Sequence, residues 1–314
     1  MTAPAAETRA RTTLASAGSA TLLAGLVAWV AAVALVPAPL AARILLLAPL
    51  VIVPRLIELL PARAWLTGLG GWPSFAAALP LLVAFSLSPG PVAAAFAMPW
   101  LAFALTGTAS AIRHGLARLP LILTPGRLPD LGIDVSLGFW GVGAAFVVID
   151  RLGVETGFSP AIVLLTATHF HFAGFGLLAV AGVLATSRPW LRVSLLGLIV
   201  GIPLTAVGFV LSSDPINAVG ALIVGSSGIG VAIALLTGHV VGGQSWLARA
   251  AGVALLVGMP MGIAWSLAIL TGVAFIDLET MVRSHGAVNA IAVLLAVVTG
   301  FQPNGDLPGL RPAD

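Results

Sequence analysis

The sequence predicts an all-α fold, a polytopic transmembrane helix bundle of about ten spans with both termini cytoplasmic. Three observations predict it. Of 314 residues, 59% are hydrophobic and only 8% are charged, whereas a soluble domain carries roughly 25% charged residues. Too few polar side chains remain to cover a water-facing surface. Apolar runs of about 20 residues, the length that crosses a bilayer, recur between clusters of Pro, Gly and Arg. The arginines sort to one side of those runs.

The first run, Leu14–Val36, follows Arg9 and Arg11. It exceeds the roughly 7–15 residues of a signal-peptide core and is expected to be a retained span. The next runs are Leu40–Leu60, Trp72–Leu87, Val92–Ile112, Leu131–Ile149 and Ala161–Thr186. Four more follow, Leu191–Leu211, Ile216–Thr237, Leu247–Phe275 and His285–Phe301. The third is short and carries Pro73 and Pro80; the ninth is long and interrupted by Pro260, so it is expected to tilt or kink.

With both termini inside, Arg9, Arg11, Arg55, Arg63, Arg113, Arg118, Arg127, Arg188, Arg192, Arg249 and Arg311 fall on the inner side. Only Arg43, Arg151 and Arg283 fall outside, 11 against 3. That is the positive-inside bias of a membrane protein. All 14 basic residues are Arg. The net charge of +3 is too small and dispersed for a nucleic-acid footprint. With no Cys there is neither a disulfide framework nor a thiolate metal site. The expected division is a cytoplasmic segment 1–13, a membrane domain 14–301, and a Pro- and Gly-rich tail 302–314 expected to be disordered. No loop is long enough for a separate soluble domain.

Candidate chemistry lies in Thr166-Ala167-Thr168-His169-Phe170-His171-Phe172-Ala173-Gly174-Phe175. Ionisable side chains inside a span are expensive and rarely face lipid. On the sixth span His169 and His171 fall about 12–15 Å below the outer end at 1.5 Å per residue. His285 and Asn289, spaced i,i+4 near the outer start of the tenth span, share a helix face. Asp277 and Glu279 stand at the mouth above them. Three histidines and a carboxylate suffice chemically for a metal, but i and i+2 on a regular helix point about 200° apart. One histidine is then expected to face the site while the other bonds a neighbouring span. Thr166 and Thr168 are candidate hydrogen-bond partners for a purely structural pair.

Other polar residues read as less specific. His114 and His239 are expected at the inner interface, and Arg55 and Glu58 are spaced to pair with each other. The acids nearest the histidines, Asp150 and Asp214, fall at outer span ends. Glycine clusters at Gly138, Gly141 and Gly143, at Gly174, Gly176 and Gly182, and at Gly225, Gly228 and Gly230 suit close helix packing. The last cluster alternatively suits an unwound segment lining a cavity.

Thr168-His169-Phe170-His171-Phe172-Ala173-Gly174-Phe175, with Met281-Val282-Arg283-Ser284-His285-Gly286-Ala287-Val288-Asn289-Ala290, resembles the YndJ-like bacterial integral membrane proteins. The resemblance implies a bacterial cytoplasmic membrane protein in which His169, His171, His285 and Asn289 matter together. Members are sometimes labelled transporters, but the resemblance implies no reaction.

Two functions compete, with a lipid-binding or assembly protein whose histidines are structural as a third. One is a transporter of a small solute or ion, with a substrate or proton site at His169, His171, His285, Asn289, Asp277 and Glu279. The other is an intramembrane enzyme or redox protein holding a divalent metal or haem through His169, His171 and His285. The partners expected are the lipid bilayer and a small solute or ion, with no nucleic acid.

Overall fold

The computed structural model describes residues 3–60, 68–117, 124–237, 245–273 and 275–299. The expected tail 302–314, His239, Arg63, Arg118 and Phe301 lie outside the described residues. Among the described residues the chain is helical throughout and has no strand. The helices are α1 (Ala3–Leu35), α2 (Leu40–Leu59), α3 (Trp72–Ser86), α4 (Pro91–Ala117) and α5 (Leu128–Leu152). They continue as α6 (Pro160–Ser187), α7 (Pro189–Val210), α8 (Asp214–Thr237), α9 (Ser245–Thr271) and α10 (Leu278–Val298). Eight are long and apolar enough to cross a membrane; the apolar part of α1, Ser19–Leu35, and α3 are shorter. α3 is broken at Leu79, immediately before Pro80. Residues before Leu14 continue the α1 helix from Ala3. α5 starts at Leu128, three residues before the expected boundary.

Outer and inner below follow the arginine-based orientation. Consecutive helices pack as antiparallel hairpins, α4 on α5, α7 on α8, α8 on α9 and α9 on α10. α2 and α6 are the most buried spans, with 78% and 83% of their apolar windows covered. They pack on each other, and both pack on α10.

Each of these three helices widens into a π-helical stretch, at Ala48–Ile52, Phe170–Leu177 and Val282–Gly286. Such stretches arise where something interrupts the i→i−4 ladder. In α2 the interruption is Pro49 and Pro54, which have no N–H to donate. In α6 it is a series of side chains that bond back onto the helix. Thr166 and Thr168 hydroxyls donate to Ile162 O and Leu164 O, and the His169 and His171 rings reach Leu165 O and Ala167 O. In α10 the Ser284 hydroxyl donates to Thr280 O at 2.6 Å.

α1 lies against the π-helical part of α2. Trp29 Nε1 donates to Arg43 O at 2.8 Å, and Gly25 sits directly on the Leu50 carbonyl. A Cβ at Gly25 would collide with that backbone oxygen, which belongs to a fully buried residue and has nowhere to move. Gly25→Ala should therefore destabilise the protein by about 1–3 kcal/mol, the usual range for overpacking. Thermal unfolding in detergent checks this; an unchanged midpoint would mean α1 does not seat there.

Candidate functional site

The histidine pair of α6 splits. His171 is fully buried, and its Nδ1 lies 2.8 Å from Ala167 O. A carbonyl only accepts, so Nδ1 carries the ring proton and Nε2 is an acceptor. Nε2 receives the Trp100 Nε1–H of α4 at 3.0 Å. Both ring nitrogens are thus spent on protein partners. The ring also stacks on Trp100, centroids 6.0 Å apart, and Trp100 meets Trp140 edge-on at 5.4 Å. Trp140 in turn packs against Phe103 and Phe175. Gly143 of α5 makes room for the imidazole, since a Cβ there would fall 2.7 Å from Nδ1. His171 is the keystone of an aromatic core and is not available as a ligand. Thr166 and Thr168 bond their own helix and do not partner either histidine.

His169 points elsewhere. It is exposed, on the span that is otherwise the most buried. Its Nδ1–H donates to Leu165 O at 2.8 Å, which leaves Nε2 with a free lone pair. It lies within electrostatic reach of His285.

His285 sits in the π-helical turn of α10, where its Nδ1–H donates to Gly258 O of α9 at 2.8 Å. Asn289 Nδ2 lies 3.0 Å from that Nδ1 and 3.5 Å from Nε2, so Nε2 has no close protein partner. Gly258 and Gly262 of α9 form the floor, lying against Asn289 and the His285 ring respectively. Asn289 donates through Nδ2 to His285 O at 2.9 Å, while its Oδ1 is buried without a hydrogen-bond partner. The outer part of α2 packs against both the α6 segment that carries His169 and the π-helical turn that carries His285. The structure therefore sets His285 against Asn289, places His169 on a segment packed on the same outer part of α2, and turns His171 away toward α4. Among the described residues no three His, Asp or Glu side chains are grouped as a metal ion would need. The three-histidine metal set is thus not assembled, because His171 is turned into the α4–α5 interface.

Asp277 and Glu279 lie at the start of α10, each engaged locally. Asp277 caps α10, accepting Thr280 N–H at 2.7 Å. Glu279 pairs with Arg283 one turn on, both highly exposed. Arg55 and Glu58 form the expected pair at 3.0 Å. The Gly225–Gly230 stretch stays regular helix within α8, with Gly225 and Gly228 against Ile263 and Met259 of α9. The packing reading of that cluster holds.

Sequence reasoning missed an intramembrane acid. Asp134 is buried in the inner half of α5, and its carboxylate lies 2.7 Å from His114 Nδ1 of α4. Asp134 falls inside the run Leu131–Ile149, so the signal was present as an acid within an apolar stretch. Asp150 is also buried, paired with Arg151 at 2.7 Å, and that guanidinium rests 4.5 Å over Phe85. A third polar link joins α7, α8 and α9: Ser266 donates to Asn217 Oδ1 at 2.7 Å, and Asn217 reaches Thr205 O at 3.4 Å. An apolar depression at the outer end of α9, lined by Trp265, Ala268, Ile269, Gly272, Phe275 and Ile276, holds no ionisable side chain.

Ten apolar helices, eight of them long enough to cross a membrane, with polar links buried between them, define a multi-pass integral membrane protein. A family model described as YndJ-like protein matches residues 43–293, most of the chain, including both histidine-bearing elements. The chain belongs to the YndJ-like family. A search of curated proteins and a search of solved structures each found no match.

Two predictions separate the roles of these residues. His171→Leu leaves the Trp100 indole N–H unpaired in the core and should cost about 1–3 kcal/mol. His169→Asn, at an exposed position, should change stability by no more than about 0.5 kcal/mol. Equal losses in thermal unfolding would contradict the split. At Asp277, the Thr280 N–H bond holds the carboxyl below its ordinary value. The cap therefore contributes fully above the ordinary aspartate value and is lost as pH falls through the depressed one. Acidification should raise Thr280 amide exchange relative to Asp277→Asn, which caps without titrating; identical profiles would show that the carboxylate charge is irrelevant.

Proposed function

We propose that this protein is a small-solute or ion transporter of the bacterial cytoplasmic membrane, with both termini inside. Its site would be formed by His169, His285 and Asn289 in the outer half of the bundle. The observation that carries this reading is the exposed His169 on the most buried span, within electrostatic reach of His285. An ionisable group at that depth is costly unless it faces a cavity or a partner.

The chemistry of the site narrows the cargo. Both rings have Nδ1–H committed to a backbone carbonyl, so each offers Nε2 as an acceptor. Asn289 adds a carbonyl oxygen without a partner. The three groups are all acceptors, and none is an acid. Such a set favours a proton, another small cation, or a solute rich in hydrogen-bond donors. The π-helical turns of α2, α6 and α10 support the same reading, since broken ladders are tolerated in membranes where they line a cavity. The buried Asp134–His114 pair supplies the intramembrane acid that proton-coupled carriers often carry.

One observation favours a second reading. Histidines that bind metals usually donate the other ring N–H to a carbonyl or carboxylate. His169 and His285 both do so. An intramembrane metal or haem protein would then use these two residues and not His171.

Reconstitution separates the readings. Proteoliposomes should show flux of at least one member of a panel of small cations and donor-rich solutes. Flux should fall at least about tenfold in His285→Ala, a loss of about 1.4 kcal/mol or more, with unfolding unchanged. Sealed vesicles inert to the whole panel would defeat the transporter. Elemental analysis and an absorption spectrum on the same preparation test the second reading, which requires about one equivalent of metal or haem, lost in His285→Ala.

A further inference from the structure

The inner end of the α6–α7 connection carries a different kind of site. The segment is Ser187-Arg188-Pro189-Trp190-Leu191-Arg192. Its 3-10 turn, Pro189–Leu191, is wedged between α6 and α8 by the fully buried Leu191. Arg188 and Arg192 flank the turn and are both half-buried. Arg188 Nη1 and Arg192 Nε are buried with no hydrogen-bond partner. Arg55, Arg127, Arg151 and Arg283 each have a carboxylate partner, whereas these two have none among the described residues. Burial pulls the Arg188 guanidinium below its ordinary value. Two half-buried cations flanking one short turn are costly unless an anion joins them.

The surroundings indicate which anion. Trp190, between the arginines, is 50% exposed. Tryptophan in such a place marks the headgroup level of a bilayer. From it Val193, Leu196 and Val200 continue along one face of α7, all exposed. That apolar stripe begins where the guanidiniums end, so charge and acyl-chain surface are contiguous.

We infer that Arg188 and Arg192 form a binding site for the phosphate group of an anionic phospholipid of the inner leaflet, its acyl chain lying along Trp190, Val193, Leu196 and Val200. Guanidinium–phosphate pairing supplies the anion that neither arginine has within the protein, and the headgroup ties α6, α7 and α8 together from the lipid side. Arg43 also has an unpartnered Nε, but it stands alone and has no such turn beside it.

The test uses the full-length protein. Native mass spectrometry from mixed micelles should show retained phosphatidylglycerol and no retained phosphatidylcholine. In nanodiscs, phosphatidylglycerol should raise the unfolding midpoint by roughly 2–4 °C over phosphatidylcholine, as expected for a ligand of the folded state. Arg188→Gln/Arg192→Gln should abolish both effects while matching the parent's midpoint in phosphatidylcholine. Should that variant not fold, the lipid comparison on the parent protein, with Arg192→Gln alone as the weakened form, decides the matter. Equal retention of both lipids, or retention unaltered by the substitutions, overturns the site. Inorganic phosphate reproducing the full shift in phosphatidylcholine overturns the lipid as its ligand.

Discussion

A side chain that needs a hydrogen bond inside a bilayer must find it within the protein, because hydrocarbon offers none. This chain meets that constraint largely by bonding side chains to the backbone of their own helix or the next one. Threonines and serines donate to carbonyls three or four residues back in α4, α5, α6, α8, α9 and α10. His169, His171 and His285 follow the same habit, and it places the Nδ1 proton of each ring. The sidedness of each imidazole follows. A ring whose Nδ1–H is committed to a carbonyl presents only an acceptor to its surroundings, and what meets that acceptor decides the residue's role. For His171 it is an indole of the core; for His169 it is the open side of the helix.

Glycine sets how closely these acceptors are approached. Gly143 admits the His171 ring, and Gly258 and Gly262 let α9 come under His285 and Asn289. The same device, with no ionisable group involved, joins α7 to α8, where Gly197 and Gly230 receive Ser227 and Ser194. Packing of small residues against polar ones replaces the hydrophobic drive that operates in water. The buried polar links are spread over both halves of the bundle, while the open acceptors are confined to the outer half of α6 and α10.

Most of the architecture was legible in the sequence because the bilayer dictates span length and arginine placement independently of packing. The ten runs, the short proline-bearing third span and the i,i+4 pairing of His285 with Asn289 all follow from such local rules. The separation of His169 from His171 was legible as a geometric necessity. Which ring turned inward was not, because that depended on Trp100, about 70 residues earlier, and on the absence of a Cβ at Gly143. Asp134 went unnoticed for a related reason. Its partner lies on the neighbouring span, so the pair has no local spacing, and one acid barely alters the hydropathy of a long run. The π-helical turns were equally invisible, since they arise from combined back-bonding and proline placement and have no sequence period.

Those turns have a geometric consequence for the three central spans. Each π turn accommodates more residues than a regular one, so it rotates everything that follows it about the helix axis by a fraction of a turn. The outer and inner halves of α2, α6 and α10 are therefore out of angular phase. A face that looks into the bundle above the π turn is not continuous with the face that looks into it below. The two surfaces are therefore built from different sets of residues, free to vary independently.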